Sequence, residues 1–538
     1  MLAADRRARR GREARTDTAL LVGLLVAVFA IAGFAVATLH WTPVGDWAVA
    51  ELILRHMPAT LPLSGAYSAT RGYNHPLPWM YYLEWLPYRL SGDRSAAELA
   101  TLVWWNGACL ALLAWLLARR QALMLAAIAI PLALVMASRG DTATLLLPWN
   151  PYFAVFPAFV LVFAAWRFAV GDTSLLPLVV ALALLATGMH LAYLPSSVAV
   201  VVVAMVWHMC ARRARGNRDA DAWRRPAIIA ACVALVVLAP ALVDLVLHGR
   251  ASNPWQIAHQ FAHPSNHIPP SQIFHLLGGE LAIPPTWMSG RVEFAVYAYQ
   301  PRAQFPWLLV AAVPVVVLAY RRRARDELAL LAIASAALAG GTLGLLRAND
   351  TSLKVWYALM MHVGAATVFI ALAWSTLRTV KHYVHTPVPK AARLGVAVIV
   401  IGGTSITYMA RQHVPAWMNQ IATTMQPLAT AGAAAVPHHT PVVVNGPYNV
   451  DGYYSEALVL MLARDGVDVR VPTGAEYLFT RALRPPSNPV PQLDLVISTD
   501  PERGDTPPAA GARRLRSVDV PQNDVLGGHR FTLWYEPT

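Results

Sequence analysis

Eleven apolar stretches, separated by short loops, dominate the first three-quarters of this chain. They run over 18–39, 97–118, 121–137, 151–169, 174–189, 192–209, 227–247, 305–320, 328–346, 355–377 and 393–410. A helix crosses a bilayer with roughly 17–25 mainly apolar residues. Lipid offers no partner to backbone N–H and C=O groups, so each stretch has to close its own hydrogen bonds as a helix. Composition agrees: 56% of the 538 residues are hydrophobic and 14% charged, with a mean hydropathy of +0.44. Soluble domains carry about 25% charged residues. The expected fold class is an α-helical polytopic membrane protein.

The net charge of +13 invites a nucleic-acid reading, which its distribution argues against. With the spans alternating, twenty-three Lys and Arg fall on the side of the N-terminus. They include Arg6, Arg7, Arg9, Arg10, Arg12 and Arg15, a cluster at 212–225 and another at 321–325. The loops between spans on the other side hold ten, and residues 411–538 are near neutral, with ten basic and twelve acidic residues. Basic residues accumulate in cytoplasmic loops, so residues 1–17 are expected inside and the chain emerges outside at His40. The first span is too long for an ordinary signal peptide and lacks a small-residue cleavage site; it is expected to be retained in the cell membrane. Cys109, Cys210 and Cys232 lie in or beside spans and suggest neither a disulfide framework nor a metal cluster.

Two large exoplasmic loops follow, 40–96 and 248–304. In the first, 46–57 reads as an amphipathic helix with Asp46 near its N-cap. The segment 76–91, rich in Trp and Tyr, suits a helix lying at the interface. The second holds His259, His263, His267 and His275. A His-x3-His pair can bind zinc, but Pro264, Pro269 and Pro270 interrupt that helix. Residues 411–538 lose the apolar runs. Strands at 441–446, 467–472 and 493–498, with a helix at 452–465, suggest a small exoplasmic α/β domain. The Ala/Gly run near 431 reads as a linker. The transmembrane module thus spans 18–410.

Few residues outside that domain can carry chemistry. Asp46, beside Trp41 and Trp47, sits where a lowered dielectric would favour a general base; an ordinary helix-capping role competes with this. Glu51 is five positions on, about 140° around a helix axis, and four from Arg55, the spacing of a solvated ion pair. Arg71 and His75 flank Tyr73 and Asn74 ahead of a Pro-x-Pro element, where they could contact a phosphate or a sugar hydroxyl; contact with lipid headgroups is the alternative. Arg347 and Lys354 lie at outer span ends, where a lipid-linked phosphate would be presented, or where they would simply snorkel. Asp141 and His190 are further polar groups on the outer side. The chain has no P-loop, no dinucleotide fingerprint and no nucleophile elbow.

A long loop after the first span, with an Asp near its start, two interfacial helices and many further spans, resembles the GT-C superfamily of glycosyltransferases. NHPLPWMYYLEWLPYRLSGDRSAAELA (74–100) is similar to the stretch before the second span in the aminoarabinose, mannosyl and arabinofuranosyl transferases. RGYNHPLPWMYY and LPWNPYFAVFP look especially like actinobacterial members. The likeness covers 18–410. It implies inverting transfer from a polyprenyl-phosphate sugar to a glycan, lipid or protein hydroxyl of the cell envelope, with the acidic residue of the first loop as base; Asp46 matches that position. Many members carry an acidic pair there, whereas Trp47 follows Asp46 here and leaves Glu51 as the substitute. Basic residues near the later spans hold the donor phosphate in that superfamily, which points to Arg347 and Lys354. No nucleotide or redox cofactor is implied, and a divalent metal is compatible. Two other classes fit a polytopic chain: a lipid or sugar transporter or flippase, which would carry more polar residues in mid-span, and a non-catalytic envelope scaffold.

Overall fold

The computed structural model describes the chain except residues 1, 69–71, 119–121, 139–143, 215–220, 265, 290–293, 296–297, 300, 385–388, 438, 449–452, 476–477, 500–505, 521–528 and 538. It divides into two compact units: residues 1–36, 73–79 and 100–413 in one, and residues 37–72, 80–99 and 414–538 in the other. Parts of the first large loop therefore fold with the C-terminal segment.

In the first unit the helices are α1 (Leu2–Val36), the inner part of α4 (Ala96–Ala118), α5 (Leu123–Ala137), α6 (Asn150–Ala169), α7 (Leu176–Met189), α8 (Leu194–Ala214), α9 (Asp221–His248), α10 (Asn253–Ala262), α11 (Pro270–Glu280), α12 (Thr286–Ser289), α13 (Trp307–Arg321), α14 (Arg325–Leu346), α15 (Val355–Val384) and α16 (Lys390–Ala410). Among the described residues eight helices are long and apolar enough to cross a membrane, and three more are shorter and apolar, over 123–137, 173–189 and 307–321. Together they coincide with the eleven expected stretches, and the chain is a multi-pass membrane protein. Their burial follows position in the bundle. Helix α6 is buried along its whole length, with Phe153, Phe156, Phe159, Phe163 and Phe168 fully enclosed. By contrast Ile31, Phe34, Val246 and Ile399 are exposed, apolar surface of the kind that faces lipid in a membrane protein.

Close helix packing in lipid relies on small residues. Gly340 and Gly344 of α14 lie against Pro195 of α8, and Gly364 of α15 lies against the Leu338 backbone of α14. A buried polar knot ties α14 to α15: the Glu327 carboxylate accepts hydrogen bonds from Arg322 (2.7 Å) and Ser375 (2.7 Å) and pairs with Arg378 (3.1 Å).

The second unit holds α2 (Asp46–His56), most of α3 (Trp79–Leu90), α17 (Ala416–Ala435) and α18 (Tyr454–Arg464). Short strands β1 (Tyr67–Ser68), β2 (Tyr73–Asn74), β3 (Phe294–Ala295) and β4 (Ala298–Tyr299) lie in the loops. The C-terminal sheet is built from β5 (Pro441–Asn445), β6 (Asp468–Arg470), β7 (Gln492–Ser498), β8 (Arg513–Asp519) and β9 (Arg530–Glu536) in the order β6-β5-β7-β9-β8. β5 runs parallel to β6 and β7, with α18 as the crossover; β9 is antiparallel to β7 and β8. The α/β expectation for this segment is met, with two strands more than the sequence suggested. The Ala/Gly run near 431 is no linker. It ends α17, whose Met418, Ile421, Met425, Leu428 and Gly432 are buried, because Ala and Gly let the helix sit close to the sheet: a Cβ on Gly432 would meet Leu533 at 3.2 Å and Leu493 at 3.4 Å.

Candidate active site

In the second unit Asp46 opens α2. It is the first helical residue, and Gly45, with φ of 54°, holds the N-cap position without a side-chain cap. This corrects the reading of Asp46 as a capping residue. Only a glycine suits the site, because φ is positive and a Cβ would meet the Tyr453 ring at 1.6 Å. The Gly45 amide donates to the Tyr453 carbonyl at 3.2 Å. The Asp46 side chain is exposed, flanked by the buried Trp41 and Trp47. Trp47 meets Trp417 and Tyr453 at ring distances of 6.1 and 6.2 Å.

Glu51 behaves differently from its sequence reading. It is fully buried, so it is no solvated partner of Arg55. Its carboxylate accepts from Arg464 Nε at 3.0 Å and from a terminal nitrogen of the same guanidinium at 2.5 Å. Tyr88 Oη donates to it at 3.1 Å, and Ser95 also meets Arg464. Burial works against the charge of Arg464, but the Glu51 carboxylate beside it outweighs burial and holds the guanidinium above its ordinary range. Burial pushes the Tyr88 hydroxyl up, and Glu51 pushes it further. Arg55 instead donates to the Ala463 carbonyl at 3.5 Å.

Helix α3 closes the other end of α2. Arg89 donates to the carbonyls of Arg55 (2.7 Å) and Met57 (2.9 Å) while pairing with Asp93 (2.9 Å), a cation satisfying the last carbonyls of a helix. Trp85 adds a bond to Met57 at 3.2 Å. The buried face of α3 carries Glu84, which is fully enclosed and whose two oxygens have no hydrogen-bond partner among the described residues. Burial drives its carboxyl well above the usual carboxylate range. The Tyr81 hydroxyl is raised by burial first and then by Glu84, Asp46 and Glu98, which places all three carboxyls within electrostatic reach of one buried phenol.

In the first unit His75 and His190 come together. Their rings lie 4.4 Å apart, and both are buried. The Leu191 amide donates to His75 Nδ1 at 3.2 Å, which puts the proton of the neutral ring on Nε2. The Leu77 amide donates to the Gly188 carbonyl at 3.0 Å, and a Cβ on Gly188 would meet the Leu77 side chain at 2.3 Å. His190 also faces Trp356 at 6.3 Å, and Trp356 meets Trp149 at 5.6 Å. Lys354, two residues before Trp356, is half-buried, and Arg347 is exposed. Asp350 between them is buried and accepts from Thr351 N (2.8 Å) and Tyr357 Oη (3.3 Å). Asn349 and Leu353 bond to Gln260 and Gln272, which stitches this loop to α10 and α11.

Arg71 and Asp141 lie outside the described residues. Sequence reasoning missed Glu84, Arg464 and a buried pair, Glu280 with His362 (2.8 Å), which Thr286 also joins. The aromatic-rich stretch around Glu84, with Trp79, Tyr81, Tyr82, Trp85 and Tyr88, was the one available signal for it. Among the described residues no group of three or more His, Cys, Asp or Glu is placed to hold a metal ion.

No protein-family model matches the chain, and no curated protein matches it. Solved structures do. ArnT from Cupriavidus metallidurans in the apo state has a TM-score of 0.53 at 13% identity, covering 96% of this chain and 97% of that one. The same protein bound to undecaprenyl phosphate has a TM-score of 0.53 at 12% identity, covering 95% and 97%. At such identities the likeness carries the fold alone: along almost the whole chain, a bundle of apolar helices with a small C-terminal sheet domain, arranged as in ArnT.

Proposed function

We propose that this chain is an inverting glycosyltransferase that takes its sugar from a polyprenyl-phosphate donor and passes it to a hydroxyl of a cell-envelope glycan, lipid or protein. The supporting observation is the end-to-end fold likeness to ArnT, one of whose structures holds undecaprenyl phosphate. The placement of Asp46, exposed at the first turn of the helix that follows the first span, fits the reading.

In this reading the acceptor oxygen attacks the anomeric carbon as its proton passes to the Asp46 carboxylate. The bond from that carbon to the phosphate oxygen breaks, the electron pair leaves with the polyprenyl phosphate, and the configuration inverts. A phosphate departs without being protonated, so a single carboxylate suffices, whereas glycosidases pair an acid with a base or nucleophile. Cationic groups aimed at the departing phosphate lower the barrier, and Lys354 and Arg347 are assigned that role. His75 and His190, whose rings lie 4.4 Å apart beside Tyr193 and Trp356, are assigned to sugar hydroxyls. The active face is exoplasmic, since the basic loops hold the other side in the cytoplasm.

The purified chain in proteoliposomes, given an undecaprenyl-phosphate sugar labelled in the sugar and an envelope extract, should release undecaprenyl phosphate and label the extract. Label that crosses the bilayer still attached to its lipid would favour the transporter reading instead.

A further inference from the structure

We infer that α18 of the C-terminal sheet is a splint for α2, so that Tyr453 and Arg464 are positioning residues for Asp46 and the C-terminal domain is a working part of the transfer machinery. The inference rests on the proposed role of Asp46 as base.

The two helices have the same length, eleven residues each, and run side by side in parallel. At their starts the Gly45 amide bonds to the Tyr453 carbonyl, and the Tyr453 ring fills the space that a side chain at 45 would need. Further along, Glu51 takes both prongs of Arg464, the last residue of α18, and Arg55 reaches the Ala463 carbonyl. Two features separate this from ordinary packing. Tyr453 adopts φ of 79°, a conformation that is strained for a non-glycine residue and persists where surroundings enforce it. The charge pair fixes orientation as well as distance, because a bidentate guanidinium–carboxylate contact is planar. One end of α18 thus grips the residue before Asp46, and the other grips the same helix one and a half turns on. α18 is itself braced as the crossover between β5 and β6 and by the Tyr454 ring, tilted 48° against Phe531 of β9 with the ring centres 4.5 Å apart. A base displaced by about 1 Å can lose about 100-fold in rate, so a rigid support for α2 has a direct chemical use.

The test compares the full-length chain with Arg464→Gln, Arg464→Lys, Glu51→Gln/Arg464→Gln and Gly45→Ala, reading amide hydrogen exchange of 46–56 alongside transfer kinetics. The splint is supported if exchange in 46–56 accelerates at least about tenfold while α6 and α14 keep their protection. It also requires kcat to fall about 10- to 100-fold with donor KM unchanged within about twofold, and Arg464→Lys to recover only part. The double variant removes both charges and guards against simple misfolding, and Gly45→Ala displaces the Tyr453 end with every charge in place. Unchanged exchange over 46–56 in folded Arg464→Gln and Gly45→Ala would overturn the splint, as would loosening spread evenly over the spans. If Asp46→Asn transfers sugar at the wild-type rate, the base assignment has failed. The exchange result then still decides whether α18 supports α2.

Discussion

Arg464 grips Glu51 with two nitrogens, at 3.0 and 2.5 Å, across 413 positions of sequence. The carboxylate is fully buried and the guanidinium side chain about a quarter exposed. Removing one partner of such a pair strands a charge, at a cost of about 3–5 kcal/mol. Arg464→Met should therefore lower the thermal midpoint of the detergent-solubilised protein more than Glu51→Gln does. The double variant Glu51→Met/Arg464→Met should be more stable than Arg464→Met alone, which a thermal-shift series would read directly.

Glu84 makes stability fall as pH rises. Burial holds its carboxyl protonated in the folded chain above the ordinary range, whereas the unfolded chain releases that proton near pH 4.5. Between those two pKa values the folded state binds the extra proton, so each upward step in pH favours unfolding. Glu84→Gln keeps the shape and removes the titration. Midpoints measured from pH 5 to 8 should decline less steeply for Glu84→Gln than for the wild type, and the variant should be the more stable of the two at the alkaline end.

Gly188 lets the Leu77 backbone reach α7. Adding a methyl there drives it to 2.3 Å from the Leu77 side chain. Overpacking of this kind costs about 1–3 kcal/mol, and the better helix propensity of Ala returns up to about 1 kcal/mol. Gly188→Ala should be destabilised by about 1–2 kcal/mol, and Leu77→Ala in the same chain should cost less than it does alone.

Lys354 and His190 separate donor binding from turnover. If Lys354 meets the donor phosphate, Lys354→Ala should raise the donor KM about tenfold, equivalent to about 1.4 kcal/mol, and Lys354→Arg should keep most of the affinity. Initial rates over a donor series would show it. His190→Ala should likewise raise the donor KM while kcat changes less, as expected of a side chain that binds the sugar and takes no part in bond breaking.

The spans were legible because a membrane helix is specified by local composition alone. Helix α2 and strands β5 and β7 were legible from short periodicity. Glu51 was misread because its partner lies in a different part of the chain: Arg55 satisfied every local rule, and nothing near Glu51 pointed to Arg464. Strand β8 (Arg513–Asp519) escaped because an edge strand with mostly solvent-facing Arg and Ser has no apolar alternation to detect. The run at 431–435 misled for the opposite reason. Small residues that look like a flexible linker are what a helix needs to lie close against a sheet. Asp46 itself was legible as the start of α2 and not in its environment: Trp41 and Trp47, near it in sequence, are buried, whereas Asp46 is exposed.

Replacing Asp46 by Asn keeps its size and removes the base. With the full-length protein in proteoliposomes and a polyprenyl-phosphate sugar as donor, transfer by Asp46→Asn should fall about 10²- to 10⁴-fold, with expression, thermal midpoint and donor KM near wild type. A folded Asp46→Asn protein that transfers sugar at the wild-type rate would contradict the account.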